Sequence, residues 1–207
     1  VYIWNPRTKK VLHQNVINNI AVLSASLGPS VPFIGDIDND GEPEICFTGY
    51  KRMYAFDYDA ATKTLNPKWA QPTSDGSACT TMSMFDFNQD GYTELVYRDE
   101  THLRIISGVT RKDTATFGVK SGTGNEYPFV ANVNGDGAAE IVVVECASGY
   151  THGQVWIYSS NPAGTWAPAR SVWNQFQYNA VNINEDLTVP QYQLNPATLF
   201  PGDGTYV

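Results

Sequence analysis

Short apolar runs alternate with polar, turn-forming segments along the whole chain, and no stretch carries the apolar stripe of a helix longer than about two turns. The runs come in sets. One set is 31–34, 44–47, 52–57 and 66–70; a second is 81–85, 94–97, 103–106 and 114–119; a third is 127–131, 140–143, 154–158 and 166–172. Within each set the first three are the most apolar and the fourth is the most polar. This pattern predicts four short antiparallel strands per unit, with the inner strands packed between neighbouring units and the outer strand facing water, as in the blades of a β-propeller. The window 11–27 has apolar residues without a helical stripe and reads as strand, turn, strand.

Between the first and second strand of each set lies a polar loop of the form [DN]-x-[DN]-x-D-G-x-x-E. The copies start at Asp36, Asp86 and Asn132, 50 and then 46 residues apart. A fourth, degenerate copy occupies 182–186, with Leu187 in place of the Gly and Pro190 in place of the Glu. Calcium is a hard cation that takes 6–8 oxygens at roughly 2.3–2.6 Å. Alternate positions of a tight loop turn toward one centre, so positions 1, 3 and 5 offer side-chain oxygens, position 7 a backbone carbonyl and position 9 a returning carboxylate. The candidate ligands are Asp36, Asp38, Asp40, Glu42 and Glu44; Asp86, Asn88, Asp90, Tyr92 and Glu94; and Asn132, Asn134, Asp136, Ala138 and Glu140. The Gly at position 6 supplies the positive φ that folds the backbone around the ion. An EF-hand is excluded, because its bidentate Glu belongs at position 12 of a helix–loop–helix, where this chain has Phe47, Tyr97 and Val143. Counting carboxylates orders the expected calcium affinity as first loop, second, third, with the fourth empty. The alternative, a merely hydrophilic turn, explains one copy more easily than three in register.

Composition narrows the function classes. Net charge is −8 and the sequence pI about 4.7, which disfavours nucleic acid and anionic membrane and favours cations. No apolar stretch is long enough for a membrane-spanning helix, and no signal peptide is visible. The chain opens on an apolar strand, Val1-Tyr2-Ile3-Trp4, similar to Val155-Trp156-Ile157-Tyr158. It therefore reads as starting midway through a blade, either as a fragment of a larger propeller (the favoured reading) or with its first strands closing a ring of four. The three cysteines, Cys46, Cys79 and Cys146, form no C-x-x-C pair and are expected to be small buried strand residues, with one disulfide open as an alternative.

The segment Phe33-Ile34-Gly35-Asp36-Ile37-Asp38-Asn39-Asp40-Gly41 resembles the FG-GAP repeat, also called the VCBS repeat, of integrin-α-type β-propellers; 84–94 and 129–140 are similar to it. The resemblance spans about 31–173 and implies an all-β propeller segment with up to three Ca2+ ions held between blade strands, and says little about partners. The tail, 166–175 and 184–190, resembles the end of propeller regions in large bacterial cell-surface proteins, which implies an exported protein. The expected organisation is an incomplete blade over 1–30, blades over 31–80, 81–126 and 127–173, and a degenerate partial blade with a C-terminal extension over 174–207.

Three function classes remain. A secreted or cell-surface binding, adhesion or scaffold module is favoured, its partner a surface protein, a glycan or further domains of a longer protein. A polysaccharide-active enzyme is disfavoured: His13, His102 and His152 fall at unrelated repeat positions, and most candidate acids are committed to the loops. For a lectin, Trp166 and Trp173 are the better sugar-stacking candidates, while Trp4 and Trp156 are expected in blade cores.

Overall fold

The computed structural model describes residues 2–5, 7–14, 30–122, 126–146, 153–173, 176, 178 and 180–193, and within them all helical and extended structure is β-strand. Strands β3 (Phe33–Gly35), β4 (Glu44–Gly49), β5 (Arg52–Asp59) and β6 (Thr64–Pro72) form one four-stranded antiparallel sheet in sequence order. Strands β7 (Met82–Phe85), β8 (Glu94–Arg98), β9 (His102–Ser107) and β10 (Asp113–Gly118) form a second with the same order. A third sheet has three strands, β11 (Phe129–Ala131), β12 (Glu140–Glu145) and β13 (Gln154–Tyr158). This is the meandering blade unit that the sequence predicts. Near the N-terminus, β1 (Tyr2–Asn5) pairs with β2 (Lys10–Gln14). Its turn repeats the β5–β6 turn in detail: Asn5 Oδ1 accepts from the amides of Arg7 and Thr8, as Asp59 Oδ1 does from those of Ala61 and Thr62. The strand–turn–strand reading of 11–27 falls largely on residues outside those described.

In the second sheet burial follows the position of the strand. All of β7 and β8 is buried, whereas β10 alternates between exposed and half-buried positions. The alternation of side chains along a strand explains how one sheet serves two interfaces. Leu95, Tyr97 and Ile106 of the second sheet face the first, meeting Cys46, Met53, Ala55 and Trp69. Val96, Leu103 and Ile105 face the third, meeting Val130, Ile141 and Val143. The innermost strands are tied by side-chain hydroxyls: Thr81 Oγ1 donates to the Val31 carbonyl at 2.8 Å, and Ser83 Oγ donates to the Pro128 carbonyl.

Three expectations are corrected. The segment 166–172 is not the outer strand of the third sheet. Ala167 instead donates its amide to the Phe87 carbonyl and accepts from the Ala139 amide, and Ala138 bridges Pro168. Pro168 has no N–H to add to a ladder, and the segment becomes a strap across the second and third loops. Among the cysteines only Cys46 is a buried strand residue; Cys79 is exposed in a loop, Cys146 is half-buried, and all three are free thiols. Trp4 and Trp156 are 57% and 41% exposed, because no described strand packs over β1 or along the outer edge of β13; Trp69 is the buried tryptophan instead.

The first loop reaches the second sheet through Ile37, which is fully buried against Gly108. A Cβ at Gly108 would fall on the Ile37 carbonyl oxygen and lie 2.7 Å from the Ile37 Cβ. Gly108→Ala is therefore expected to destabilise the fold by about 1–3 kcal/mol through overpacking. Gly118→Ala, with open space around its Cβ, is the near-neutral control. Urea unfolding midpoints of the two variants check this.

Candidate metal centres

Each acidic loop joins the innermost strand of a sheet to the next one, and the three share one set of internal bonds. The position 9 glutamate lies at or beside the start of β4, β8 or β12 and reaches back to accept the amide N–H of position 2. Glu44 accepts from Ile37 at 2.8 Å, Glu94 from Phe87 at 3.0 Å and Glu140 from Val133 at 3.0 Å. The position 5 aspartates, Asp40, Asp90 and Asp136, each accept from the amide of position 7, at 2.9 Å in every loop: Glu42, Tyr92 and Ala138. Position 1 accepts from the amide of position 6 in the first two loops, Asp36 from Gly41 and Asp86 from Gly91, both at 2.9 Å; in the third, Asn132 accepts from Gly135. Positive φ occurs at positions 4 and 6: Asn39 and Gly41, Gln89 and Gly91, Gly135 and Gly137. The Gly of the repeat marks position 6; the residue at position 4 joins it in the left-handed region, where Asn is at ease and Gln is not.

The loops differ in what balances their charge. In the first, oxygens of Asp36, Asp38 and Asp40 lie within 4.8 Å of one another, a span that two ligands of one calcium ion can have. An ammonium group already sits among the carboxylates. Lys68 Nζ, from β6, is 2.7 Å from Asp38, 2.7 Å from Glu44, 3.2 Å from Asp57 and 3.5 Å from Asp40. Burial opposes the charge on Lys68, but the hydrogen bonds to Asp38, Glu44 and Asp57 outweigh it and raise the ammonium pKa above its ordinary value. Glu44 is 1% exposed; burial pushes its pKa up, and Lys68 and the Ile37 amide partly offset that.

The second loop has no such partner. Asp86 and Glu94 are buried, and among the described residues no Lys or Arg forms an ion pair with Asp86, Asp90 or Glu94. The Asn88 amide donates to Asp90 at 2.9 Å. Burial, with Asp86 and Asp90 adding repulsion, pushes Glu94 from 4.5 up to about 7. Its candidate donors are oxygens, two of them on the buried Asp86 and Glu94 and two on the exposed Asn88 and Asp90, with no protein cation beside them, which suits a hard divalent ion. In the third loop the Asn134 amide bridges the two carboxylates, donating to Asp136 at 3.0 Å and to Glu140 at 2.9 Å. Glu42 and Tyr92 are exposed at position 7, while Ala138 is buried beneath the strap.

The fourth copy is a turn closed by its own side chains, with Asp186 accepting from the Thr188 amide and hydroxyl. It wraps a guanidinium: Arg170 donates to the carbonyls of Ala180 and Ile183 and to the Tyr178 hydroxyl, and pairs with Glu185. Lys68 and Arg170 escaped the sequence reading because both lie outside the loop pattern, and nothing in the repeat spacing connects them with it.

Residues 23–97 match the family description FG-GAP-like repeat. Among solved structures, the V. cholerae biofilm matrix protein Bap1 is similar to this chain, at 28% identity with a TM-score of 0.63. The similarity covers 77% of this chain and 26% of that one, so the chain corresponds to about a quarter of the length of that protein. No curated protein matches the chain.

The Glu94 carboxyl fixes the sign of a pH effect. Its folded pKa lies above its ordinary value, so its contribution to stability is complete below about 4.5 and is lost as pH rises toward about 7. In EGTA, the wild type is expected to lose thermal stability across that window relative to Glu94→Gln. Melts of the two proteins at matched pH check the difference.

Proposed function

We propose that this chain is a non-catalytic, calcium-stiffened propeller segment of an extracellular matrix or cell-surface protein, acting in adhesion or as a scaffold. The observation that carries the reading is the second loop, where the buried carboxylates of Asp86 and Glu94 share a turn with Asp90 and lack a protein cation. A divalent ion bound by Asp86, Asn88, Asp90 and Glu94 would supply the missing charge and link the ends of β7 and β8. The third loop, with Asn132, Asn134, Asp136 and Glu140, would hold calcium more weakly, since it carries fewer carboxylates. The FG-GAP-like match over 23–97 and the similarity to a biofilm matrix protein support placement outside the cell, where calcium is plentiful.

A glycan is the partner class with one specific observation in its favour. A cleft of about 430 Å³ lies between the second and third loops, lined by Trp166, Asn88, Asp136 and Thr165 among others. An aromatic ring beside amide and carboxylate groups is the chemistry of sugar recognition. Trp173 belongs elsewhere, in an aromatic cluster with Phe129 and Tyr178.

Saturating Ca2+ is expected to raise the melting temperature and EGTA to reverse it. At a hundred times Kd the stabilisation amounts to about 2.7 kcal/mol per site. The double variant Asp86→Asn, Asp90→Asn is expected to lose most of that response. Melts indifferent to both Ca2+ and EGTA would overturn the calcium reading. For the partner, a glycan array probed with wild type and Trp166→Ala is expected to show binding that the variant loses; an array without hits points to a protein partner.

A further inference from the structure

The first loop has the most carboxylates, yet three of them, Asp38, Asp40 and Glu44, are already paired with Lys68. The position of that lysine is a property of the sheet. Along β5 and β6, Ala55 pairs with Trp69 and Phe56 with Pro67, so Lys68 is the extra residue of a β-bulge. The neighbours hold it in place, with Trp69 buried in the core and Pro67 unable to donate to the ladder. The bulge re-aims the side chain from the outer strand toward the loop. Lys68 retains only 19% of its side-chain exposure there and touches four carboxylates.

The second sheet has the same bulge at the same place. Ile106 pairs with Asp113 and Ile105 with Ala115, leaving Thr114 as the extra residue. The two sheets align through Ile45 opposite Phe56 and Leu95 opposite Ile106, so Thr114 stands where Lys68 stands. Its hydroxyl donates to the Ile105 carbonyl at 3.1 Å and brings no charge to the second loop. The fourth turn repeats the solution of the first by other means, since its carbonyls and Glu185 enclose Arg170.

We propose that Lys68 is the resident cation of the first loop and excludes a divalent ion from it, so that the outer-strand bulge residue decides which loop takes metal. The second loop, with a neutral residue at its bulge, is then the leading calcium site, reversing the order that carboxylate count implies. This inference rests on the proposed function only for the identity of the ion at the second loop.

The test is the number of calcium ions bound, read by native mass spectrometry and isothermal titration on wild type, Lys68→Met and Thr114→Lys. Lys68→Met is expected to bind one Ca2+ more than wild type, through Asp36, Asp38, Asp40 and Glu44. Thr114→Lys is expected to bind one fewer. Should Lys68→Met fold only when Ca2+ is added, that too supports the proposal; should it fold under neither condition, Thr114→Lys decides. The proposal is overturned if Lys68→Met binds the same number as wild type with unchanged affinity, or if Thr114→Lys leaves the count unchanged. A wild type that binds no calcium sinks the calcium reading of the second loop, and a gain in Lys68→Met still decides the question of the resident cation.

Discussion

Three glutamates, Glu44, Glu94 and Glu140, each reach back across a loop to accept an amide N–H, and each is buried in doing so. The bond satisfies a backbone donor at the mouth of every sheet, which an interior position requires. It also draws a carboxylate into a place where charge is costly. The rest of the site follows from that tension. Aspartates at position 5 of every loop and at position 1 of the first two are held by further amides, so the negative charge accumulates instead of dispersing, and a positive partner must come from somewhere. The first loop takes it from Lys68 and the third spreads an amide between its two acids, while the second has Glu94 pushed up to about 7.

The loops are also how neighbouring sheets are located against each other. Ile37, at position 2 of the first loop, is fully buried against Gly108 of the second sheet. Phe87, at the same position of the second loop, joins the core shared with the third sheet and packs on Trp166. In these two loops the amide that the glutamate binds belongs to the residue that plugs the interface. Loop closure and sheet packing are therefore one event, and a cation that steadies the glutamate steadies the interface.

Much of this was legible in the sequence, because the loop pattern recurs in register and the apolar runs have strand length and period. The all-β fold, the order of strands and the loop positions followed from these two regularities. What was not legible depends on the bulge and on partners across the fold. Lys68 is one lysine in a polar outer strand, and only the ladder register, where it has no opposite residue, and its carboxylate contacts show that it turns toward the loop. The segment at 166–172 has the polarity of an outer strand, but its backbone bonds go to Phe87, Ala139, Asn132 and Gly137. Trp4 and Trp156 look like core residues because they occupy similar strand positions, yet their burial depends on what packs over the strand, which their own spacing does not encode.

The strap at 166–170 has a mechanical consequence. Its backbone bonds engage residue 87 in one loop and residues 132, 137 and 139 in and around the next. A pull applied along this segment is shared between two turns at once, loading their hydrogen bonds in parallel instead of peeling them one after another. In a protein that carries tension, such a join is stiffest in the direction of its strap and gives way as a unit.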